Sequence, residues 1–518
     1  MTASLNFASL LSSLSQKDIS SVSKLSDLET NSDTRGSLVL DSRKIAPKDI
    51  FVAISGHETD GRLYIADAFR KGASFCLTEP LTVEQKLNLS NFSDAIVEVE
   101  SLREKLSVLA AEYLGRPGDR LKCFGVTGTN GKTSVGYFFS QLVESLGKQS
   151  AFVGTIGSGK LNRLDTNPLT TPDAIELQRL LYRFVEAEFD YCSMEISSHA
   201  LCQHRVDAAG IQCAAFLNLS HEHLDYHGSL ESYYQAKKRL FLLPGIRQTI
   251  INIDDVFGQR LFEELTSESN ALLWTVSSNN TMPKVSINPN RHLQLIRRVS
   301  KQGLPTQLTC RFGDKDFSTE TVLIGDFNIN NLLISVLALH SFGDYNLELI
   351  FKEVEKLRPP PGRLECFSLA GRVRVFIDYA HTPDALEKVL HALRPEVAER
   401  IIVVFGCGGE RDKEKRPQMA KVAEQLSDYC IVTDDNPRKE SSKQIIDDIC
   451  HGFSSQEKVL IEPDRKSAIQ RAAAMAKAGD VILIAGKGHE DYQILGDKKY
   501  AYSDRAVVSS LVEEMQGG

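Results

Sequence analysis

The run Gly125-Val126-Thr127-Gly128-Thr129-Asn130-Gly131-Lys132-Thr133-Ser134 has the residue types and spacing to hold a phosphate. It follows the apolar residues Leu121, Cys123 and Phe124, and it opens a stretch from Val135 to Leu146 that reads as a helix. In the order strand, glycine-rich loop, helix N-terminus, unpartnered backbone N–H groups and the positive end of the helix dipole converge on one anion. Glycines let the backbone wrap closely around it. Lys132 would reach the β- and γ-phosphates, and the Thr133 hydroxyl would take a place on Mg²⁺. The loop departs from the standard P-loop at one point: Val126 stands where that pattern has its first glycine.

Two segments downstream are dense in polar groups. Glu195, Ser197, Ser198 and His199 follow an apolar stretch, and Asn218 to His227 follows the run ending at Leu219. Beyond them, Tyr233 to Leu240 reads as a helix carrying Lys237. Glu195 and His223, each just past a β-type run, could face the same cation as Thr133, because carboxylate, hydroxyl and imidazole are all metal donors. Read singly, Glu195 is a surface carboxylate, His223 a hydrogen-bonded loop histidine and Lys237 an exposed helix lysine beside Lys238 and Arg239. A zinc-peptidase reading of His221-Glu222 fails, since H-E-x-x-H requires histidine where Asp225 stands. Near the C-terminus, Asp435-Asn436-Pro437-Arg438 reads by itself as a solvated Asn-Pro turn. Gly486-Lys487-Gly488 lacks the Ser/Thr and the spacing of a second nucleotide loop.

The elements that must position these groups follow from the apolar pattern. Gly36 to Leu40 and Asp49 to Ile54 are short β-type runs in a small α/β module. A helix-like stretch, Leu102 to Leu114, ends at Gly115-Arg116-Pro117-Gly118 and leads into the phosphate loop. Strand-like and helical runs alternate to about residue 350, including Ala214 to Leu219 and Gln248 to Ile253, which implies a mainly parallel sheet covered by helices. Segment 267 to 318 shows no readable pattern. Pro359, Pro360 and Pro361 make a stiff linker that neither helix nor central strand accommodates. After it, Val373 to Ile377, Ile401 to Phe405, Tyr429 to Thr433 and Val481 to Ala485 predict a second doubly wound sheet, with its ligand at the carboxyl ends of the strands. The expected class is α/β with three domains: 1–99, 100–358 and 359–518.

Composition excludes several function classes. The 518 residues are 42% hydrophobic and 25% charged, with net charge −8 and pI about 5.9. No basic tract stands out, which argues against nucleic acid or an anionic membrane as the main partner. No apolar run approaches the roughly 18 residues needed to span a bilayer. No Lys or Arg precedes Lys17, so a secretory n-region is not expected. The ten cysteines form no C-x-x-C pair and read as reduced thiols of a cytoplasmic enzyme.

Taken as a whole, the chain resembles the Mur ligases, the ATP-dependent amide ligases of peptidoglycan assembly. The resemblance is carried by Gly128 to Thr133, Glu195, the segment from His223, Asn328 within Gly325 to Asn331, Gly362-Arg363, and Asp378 to Pro383, in family order along the chain. It implies a small N-terminal α/β domain for the UDP end of the substrate, a central P-loop-type ATPase domain and a C-terminal Rossmann-like domain for the incoming amino acid. It further implies that Gly128, Thr129, Asn130, Gly131, Lys132, Thr133, Ser134, Asn328, Arg363 and Asp378 bind ATP. Thr133, Glu195, His223 and Lys237 then hold Mg²⁺, with Lys237 carrying a carbamate derived from CO2.

The resemblance is closest to members that add the third residue of the stem peptide. Leu40, Ser42, His57, Glu58 and Thr59 match contacts to the UDP end of UDP-N-acetylmuramoyl-L-alanyl-D-glutamate. Leu169, Thr170, Thr171, Ser197, Gln203 and Arg205 match contacts to its muramoyl dipeptide. Asp435, Asn436, Pro437 and Arg438 resemble a meso-diaminopimelate motif, with Arg411, Gly486 and Glu490 completing that pocket. An arginine suits the assignment, because diaminopimelate exceeds lysine by a distal carboxylate that a guanidinium can fork onto. The implied chemistry is acyl phosphate formation followed by amine attack, carried out by a monomer. The rival readings are a lysine- or ornithine-adding relative, a folylpolyglutamate synthetase and, in another class, a P-loop switch that turns over ATP without an amino acid.

Overall fold

Four short strands, β1 (Leu38–Val39), β2 (Ile50–Ala53), β3 (Phe75–Thr78) and β4 (Ile96–Glu98), pair in parallel in that order. They are covered on both faces, which is why they read as continuous apolar runs and not as alternation. Leu38, Val52, Leu77 and Val97 pack there on Leu102, Leu106 and Leu109 of the helix Leu102–Tyr113. The computed structural model describes residues 36–516 apart from 57–58, 279–285, 301–303 and 370–372. His57 and Glu58 therefore lie outside the described residues.

The chain divides into two compact units. One holds the described residues up to Val276 with 286–292 and Ile334–Asn346, and the other holds the remainder. In the first unit, the module above adjoins a larger sheet. Its strands are β5 (Lys122–Thr127), β6 (Ser150–Gly154), β7 (Gly157–Lys160), β8 (Arg163–Asp165), β9 (Tyr191–Glu195), β10 (Ile211–Phe216), β11 (Gln248–Asn252) and β12 (Leu272–Ser277). Their spatial order is β12-β11-β10-β5-β9-β6-β7-β8. All pairs are parallel except β6-β7 and β7-β8. β5 lies in the middle, between β9 and β10, so successive crossovers leave it in opposite directions. Its carboxyl end is thus a topological switch point, the place where such sheets bind ligands. The phosphate loop begins there.

In the second unit, β13 (His292–Val299), β14 (Thr306–Phe312) and β15 (Lys315–Thr321) form an antiparallel meander. It falls in the second half of the segment in which the sequence showed no pattern. A six-stranded sheet follows: β16 (Glu365–Leu369), β17 (Val373–Asp378), β18 (Ile401–Phe405), β19 (Tyr429–Val432), β20 (Val459–Ile461) and β21 (Val481–Ala485). Its order is β16-β17-β21-β18-β19-β20, parallel except at the β16 edge. The four runs expected after the prolines are β17, β18, β19 and β21. A hairpin, β22 (Tyr492–Leu495) with β23 (Lys498–Ala501), stands beyond β21.

Candidate active site

The helix Lys132–Ser145 starts from Gly131, whose φ of 92° is left-handed, and no side chain caps its first turn. Its leading N–H groups are thus left for an anion. Asn218, at the end of β10, fixes the loop by accepting from Asn130 N at 2.9 Å, donating to Asn130 O at 3.1 Å and accepting through its backbone carbonyl from Thr129 N at 3.0 Å. Lys132 Nζ donates to the carbonyls of Gly128 and Thr129 at 2.8 and 2.9 Å. Thr133 and Ser134 are buried at the helix start.

Lys237, in the helix Leu230–Lys238, is 1% exposed, not the solvated lysine that its basic neighbours suggest. Its Nζ donates to Gly128 O at 2.9 Å and lies 4.3 Å from the centre of the Tyr233 ring. Burial, and next the positive charge of Lys132, push its amine well below the usual lysine range. Tyr233 Oη lies 3.4 Å from Thr129 Oγ1.

Glu195 ends β9 opposite Val126 of β5 and is also buried. Its Oε1 accepts from Thr155 N at 2.9 Å and its Oε2 from Thr155 Oγ1 at 3.1 Å. Thr155 Oγ1 lies 3.1 Å from Thr170 Oγ1. Thr171 Oγ1 donates to the Glu195 carbonyl at 2.7 Å and accepts from Ser197 N at 3.0 Å. Arg205 donates to the Thr171 carbonyl at 2.9 Å and to Gln203 Oε1, and Gln203 donates to Tyr226 Oη at 3.2 Å. The residues matched to the muramoyl dipeptide therefore form one bonded chain that starts at Glu195. Leu169 stands exposed beside it.

His223 has a left-handed φ of 56° and a half-exposed ring, 4.9 Å from that of His199. Burial, then His223 and His227, bring His199 down to about 4, so it stays neutral. Among the described residues no three His, Cys, Asp or Glu side chains form a metal-binding group. A cation here would instead draw on a hydroxyl, a carboxylate and an imidazole from separate loops. In the N-terminal module, Ser42 is buried with its carbonyl accepting from Lys71 Nζ at 3.1 Å, Leu40 packs against the core, and the Thr59 carbonyl accepts from Gly56 N at 2.9 Å.

In the second unit, Asn328 is buried in the first turn of the helix Asp326–Ser341 and donates to Ile324 O at 2.9 Å. Asp378 ends β17, its carboxylate accepting from Leu364 N at 2.7 Å and Ala380 N at 2.8 Å. Burial raises its pKa against the opposing pull of Arg363. The Arg363 guanidinium stacks 4.6 Å from the Tyr379 ring, and its buried Nε has no hydrogen-bond partner among the described residues.

The loops after β18, β19 and β21 meet at the carboxyl edge of this sheet. Arg438, at a left-handed φ of 54°, donates through Nη1 to Gly409 O at 2.8 Å. Gly408 leaves room for it, because a Cβ there would come within 2.8 Å of Nη1. Arg411, exposed, borders Gly408. Asn436 donates to Glu490 Oε2 at 3.0 Å, and Asp435 Oδ2 is 3.3 Å from where a Cβ on Gly486 would stand. Thr155, Asn218, Tyr233 and Lys487 are members of these sites that sequence reasoning did not single out. Only Asn218, just past a β-type run, gave any signal of position.

Three family models match in order: Mur ligase family, catalytic domain, over residues 37–114; Mur ligase middle domain, over 126–339; and Mur ligase, glutamate ligase domain, over 362–488. The UDP-N-acetylmuramoyl-L-alanyl-D-glutamate–2,6-diaminopimelate ligase of Pseudomonas aeruginosa is 42% identical over 467 residues, 90% of this chain and 93% of that protein. Its namesake in Haemophilus influenzae is 41% identical over 92% of this chain and 96% of its own length. A solved structure of a protein with that name superposes with a TM-score of 0.67 at 31% identity, covering 93% of this chain and 95% of the other. A folylpolyglutamate synthase of Mycobacterium tuberculosis, at 17% identity, TM-score 0.58 and 73% of this chain against 91% of its own, shares the fold alone. The chain belongs to the Mur ligase family.

Proposed function

We propose that this chain adds meso-diaminopimelate to the D-glutamyl γ-carboxylate of UDP-N-acetylmuramoyl-L-alanyl-D-glutamate at the expense of ATP. The observation that carries this reading is the carboxyl edge of the second sheet. There the loops after β19 and β21 carry a guanidinium, Arg438, turned toward Gly409, and separately two carboxylates, Asp435 and Glu490, a polarity suited to an amino acid whose far end holds both a carboxylate and an ammonium. Lysine lacks that carboxylate and would leave Arg438 without its anion, which disfavours the lysine-adding alternative. The names of the relatives support the same choice.

The γ-carboxylate attacks the γ-phosphorus of ATP and expels ADP, giving an acyl phosphate. A neutral amine of diaminopimelate then attacks the acyl carbon, phosphate leaves with the C–O bond's electrons, and the nitrogen gives up a proton. Two anions must meet in the first step. Lys132 and the first-turn N–H groups of the helix Lys132–Ser145 offset their repulsion. Arg205, anchored by Thr171 and Gln203, orients the dipeptide, with Ser197 and Thr170 beside it. Asn328, Arg363 and Asp378 belong to the nucleotide in this reading, and Leu40, Ser42, His57, Glu58 and Thr59 to the UDP end.

The donor set Thr133, Glu195 and His223 fits Mg²⁺, which when bound neutralises phosphoryl charge. Lys237 fits a carbamate, because only a neutral amine adds CO2 and burial shifts this amine toward its neutral form. We assign 1–99 to the UDP end, 100–358 to ATP and 359–518 to the amino acid, in a cytoplasmic monomer. No helix among the described residues is long and apolar enough to cross a membrane. The test is phosphate release across a panel of amino acids with the UDP-linked dipeptide present. Release that depends on meso-diaminopimelate supports the assignment, whereas equal release with lysine, or with no amino acid, refutes it.

A further inference from the structure

Lys487 exposes no side-chain surface, yet it carries a charge into the loop after β21. Its three ammonium donors meet three acceptors: Asp435 Oδ1 at 3.2 Å, Asn436 Oδ1 at 3.1 Å and Glu490 Oε2 at 3.2 Å. Asp435 and Asn436 belong to the loop after β19, and Glu490 to the loop after β21. One buried cation therefore pins two loops from different strands. Asn436 tightens the joint through its bond to Glu490, and its Oδ1 also accepts from Ile494 N at 2.9 Å. A buried charge without partners is costly, and a partly balanced cluster is unfavourable until its last charge is met.

The balance here is incomplete. Two carboxylates face one ammonium, so the cluster carries one negative charge too many. Asp435 Oδ2 accepts no hydrogen bond among the described residues, and Glu490 Oε1 has only the 3.4 Å contact from Tyr492 Oη. Arg438 follows Asn436 by two residues and is turned toward Gly409, so the cationic and anionic parts of this edge stay apart.

We propose that Lys487 is a positioning residue for the amino-acid substrate. Its ammonium sets Asp435, Asn436 and Glu490 as a receptor for one substrate ammonium, next to the carboxylate taken by Arg438. The proposal rests on the assignment of this edge to diaminopimelate and adds a direction to it. The amine seated on the cluster is charged and cannot be the nucleophile, so the two-ended substrate must present its other amine to the acyl phosphate.

Two measurements test this. On the unmodified enzyme, 2-aminopimelate keeps both carboxylates and one amine but has no second ammonium. Its KM should exceed that of meso-diaminopimelate by about tenfold or more, the scale of one charge-assisted hydrogen bond. In Lys487→Met, the KM for meso-diaminopimelate should rise by a similar factor and saturating substrate should recover most of kcat. Acyl phosphate trapped with hydroxylamine, which needs no amino acid, should stay within about threefold, since the phosphoryl step uses other residues. Equal KM for 2-aminopimelate and diaminopimelate overturns the proposal even if the methionine variant does not fold. So does a Lys487→Met enzyme in which trapped acyl phosphate falls together with turnover. Arg438→Ala, run in parallel, separates the two levels: if it leaves the KM unchanged, the edge itself is misassigned, and if it raises the KM while Lys487→Met does not, only the positioning role fails.

Discussion

Lys132 and Lys237 donate to the same acceptor, the carbonyl of Gly128, at 2.8 and 2.9 Å. Two ammonium groups on one oxygen repel, and the more buried nitrogen yields its proton more readily. Lys237 is that nitrogen: burial first and Lys132 second press its pKa down. In the proposed reaction the charged phosphate contact then falls to Lys132, while the lowered pKa of Lys237 favours the neutral amine, the form that takes up CO2. Lys237→Ala should lower kcat by about 10²- to 10³-fold, the scale of one electrostatic contact in a closed site. Formate or acetate should restore part of the loss. Removing CO2 from the buffer should slow the parent enzyme and leave the alanine variant unchanged. Because acid reprotonates the amine, the CO2 requirement should steepen as pH falls, read as the bicarbonate concentration giving half-maximal rate.

Gly154 should be as essential as Glu195, though it has no side chain to offer. A Cβ at position 154 would sit 2.2 Å from Glu195 Oε1 and 2.6 Å from the Phe152 ring. Either the carboxylate leaves Thr155 or β6 moves away from β9. Displacing a donor by about 1 Å can cost on the order of 10²-fold in rate. Gly154→Ala should therefore fold, lose turnover on that scale and need more Mg²⁺ for half-maximal activity. An unchanged Mg²⁺ requirement would remove Glu195 from the cation.

How far the sequence could be read differs between strands and side chains. β18, β19 and β21 are buried on both faces, so each appears as an unbroken apolar run, and β17 is broken only by Arg374, so all four were legible. β14 alternates buried and exposed positions, with Gln307 and Arg311 interrupting the apolar residues, and its antiparallel neighbours follow none of the βα rhythm of the preceding chain. The meander was missed for that reason. Phosphate-loop residues are local in sequence and were found from their spacing. Thr155 and Tyr233 act across distances that only folding closes, from Thr155 to Glu195 and from Tyr233 to Thr129. Lys487 was read as the middle of a failed glycine loop, because its three acceptors lie on either side of it in sequence and mostly some fifty residues away.

In the proposed reaction Arg438 sets the choice between diaminopimelate and lysine, through a charge that its backbone holds in place. Its left-handed φ of 54° and the bonds Arg438 N to Ile494 O at 3.0 Å and Gly496 N to Arg438 O at 2.8 Å fix where the side chain starts. Arg438→Ala should cost meso-diaminopimelate about 10- to 100-fold in kcat/KM, the worth of a charge-assisted bond, and cost lysine little. Arg438→Lys should recover only part of the loss, since a point charge cannot fork onto a carboxylate. Equal losses for the two amino acids would show that the guanidinium does not read the distal carboxylate.

The deepest ion pair of the second unit bears on the same edge. Arg465 and Asp504 have no exposed side-chain surface and meet through two bonds of 2.8 Å, Nε to Oδ1 and Nη2 to Oδ2. Burial opposes the charge on Arg465, and Asp504 more than compensates, raising its pKa. Arg465 also donates to the carbonyl of Ala485 at 2.9 Å, immediately before Gly486. Removing one partner strands the other charge, so Asp504→Asn should destabilise this unit by about 3–5 kcal/mol, whereas Arg465→Met with Asp504→Leu should recover much of that stability. The double variant keeps a packed interior but loses the donor on Ala485. Its KM for meso-diaminopimelate should therefore rise while its melting temperature returns toward that of the parent. If KM and melting temperature recover together, the pair serves stability alone and Gly486 owes its position to the turn itself.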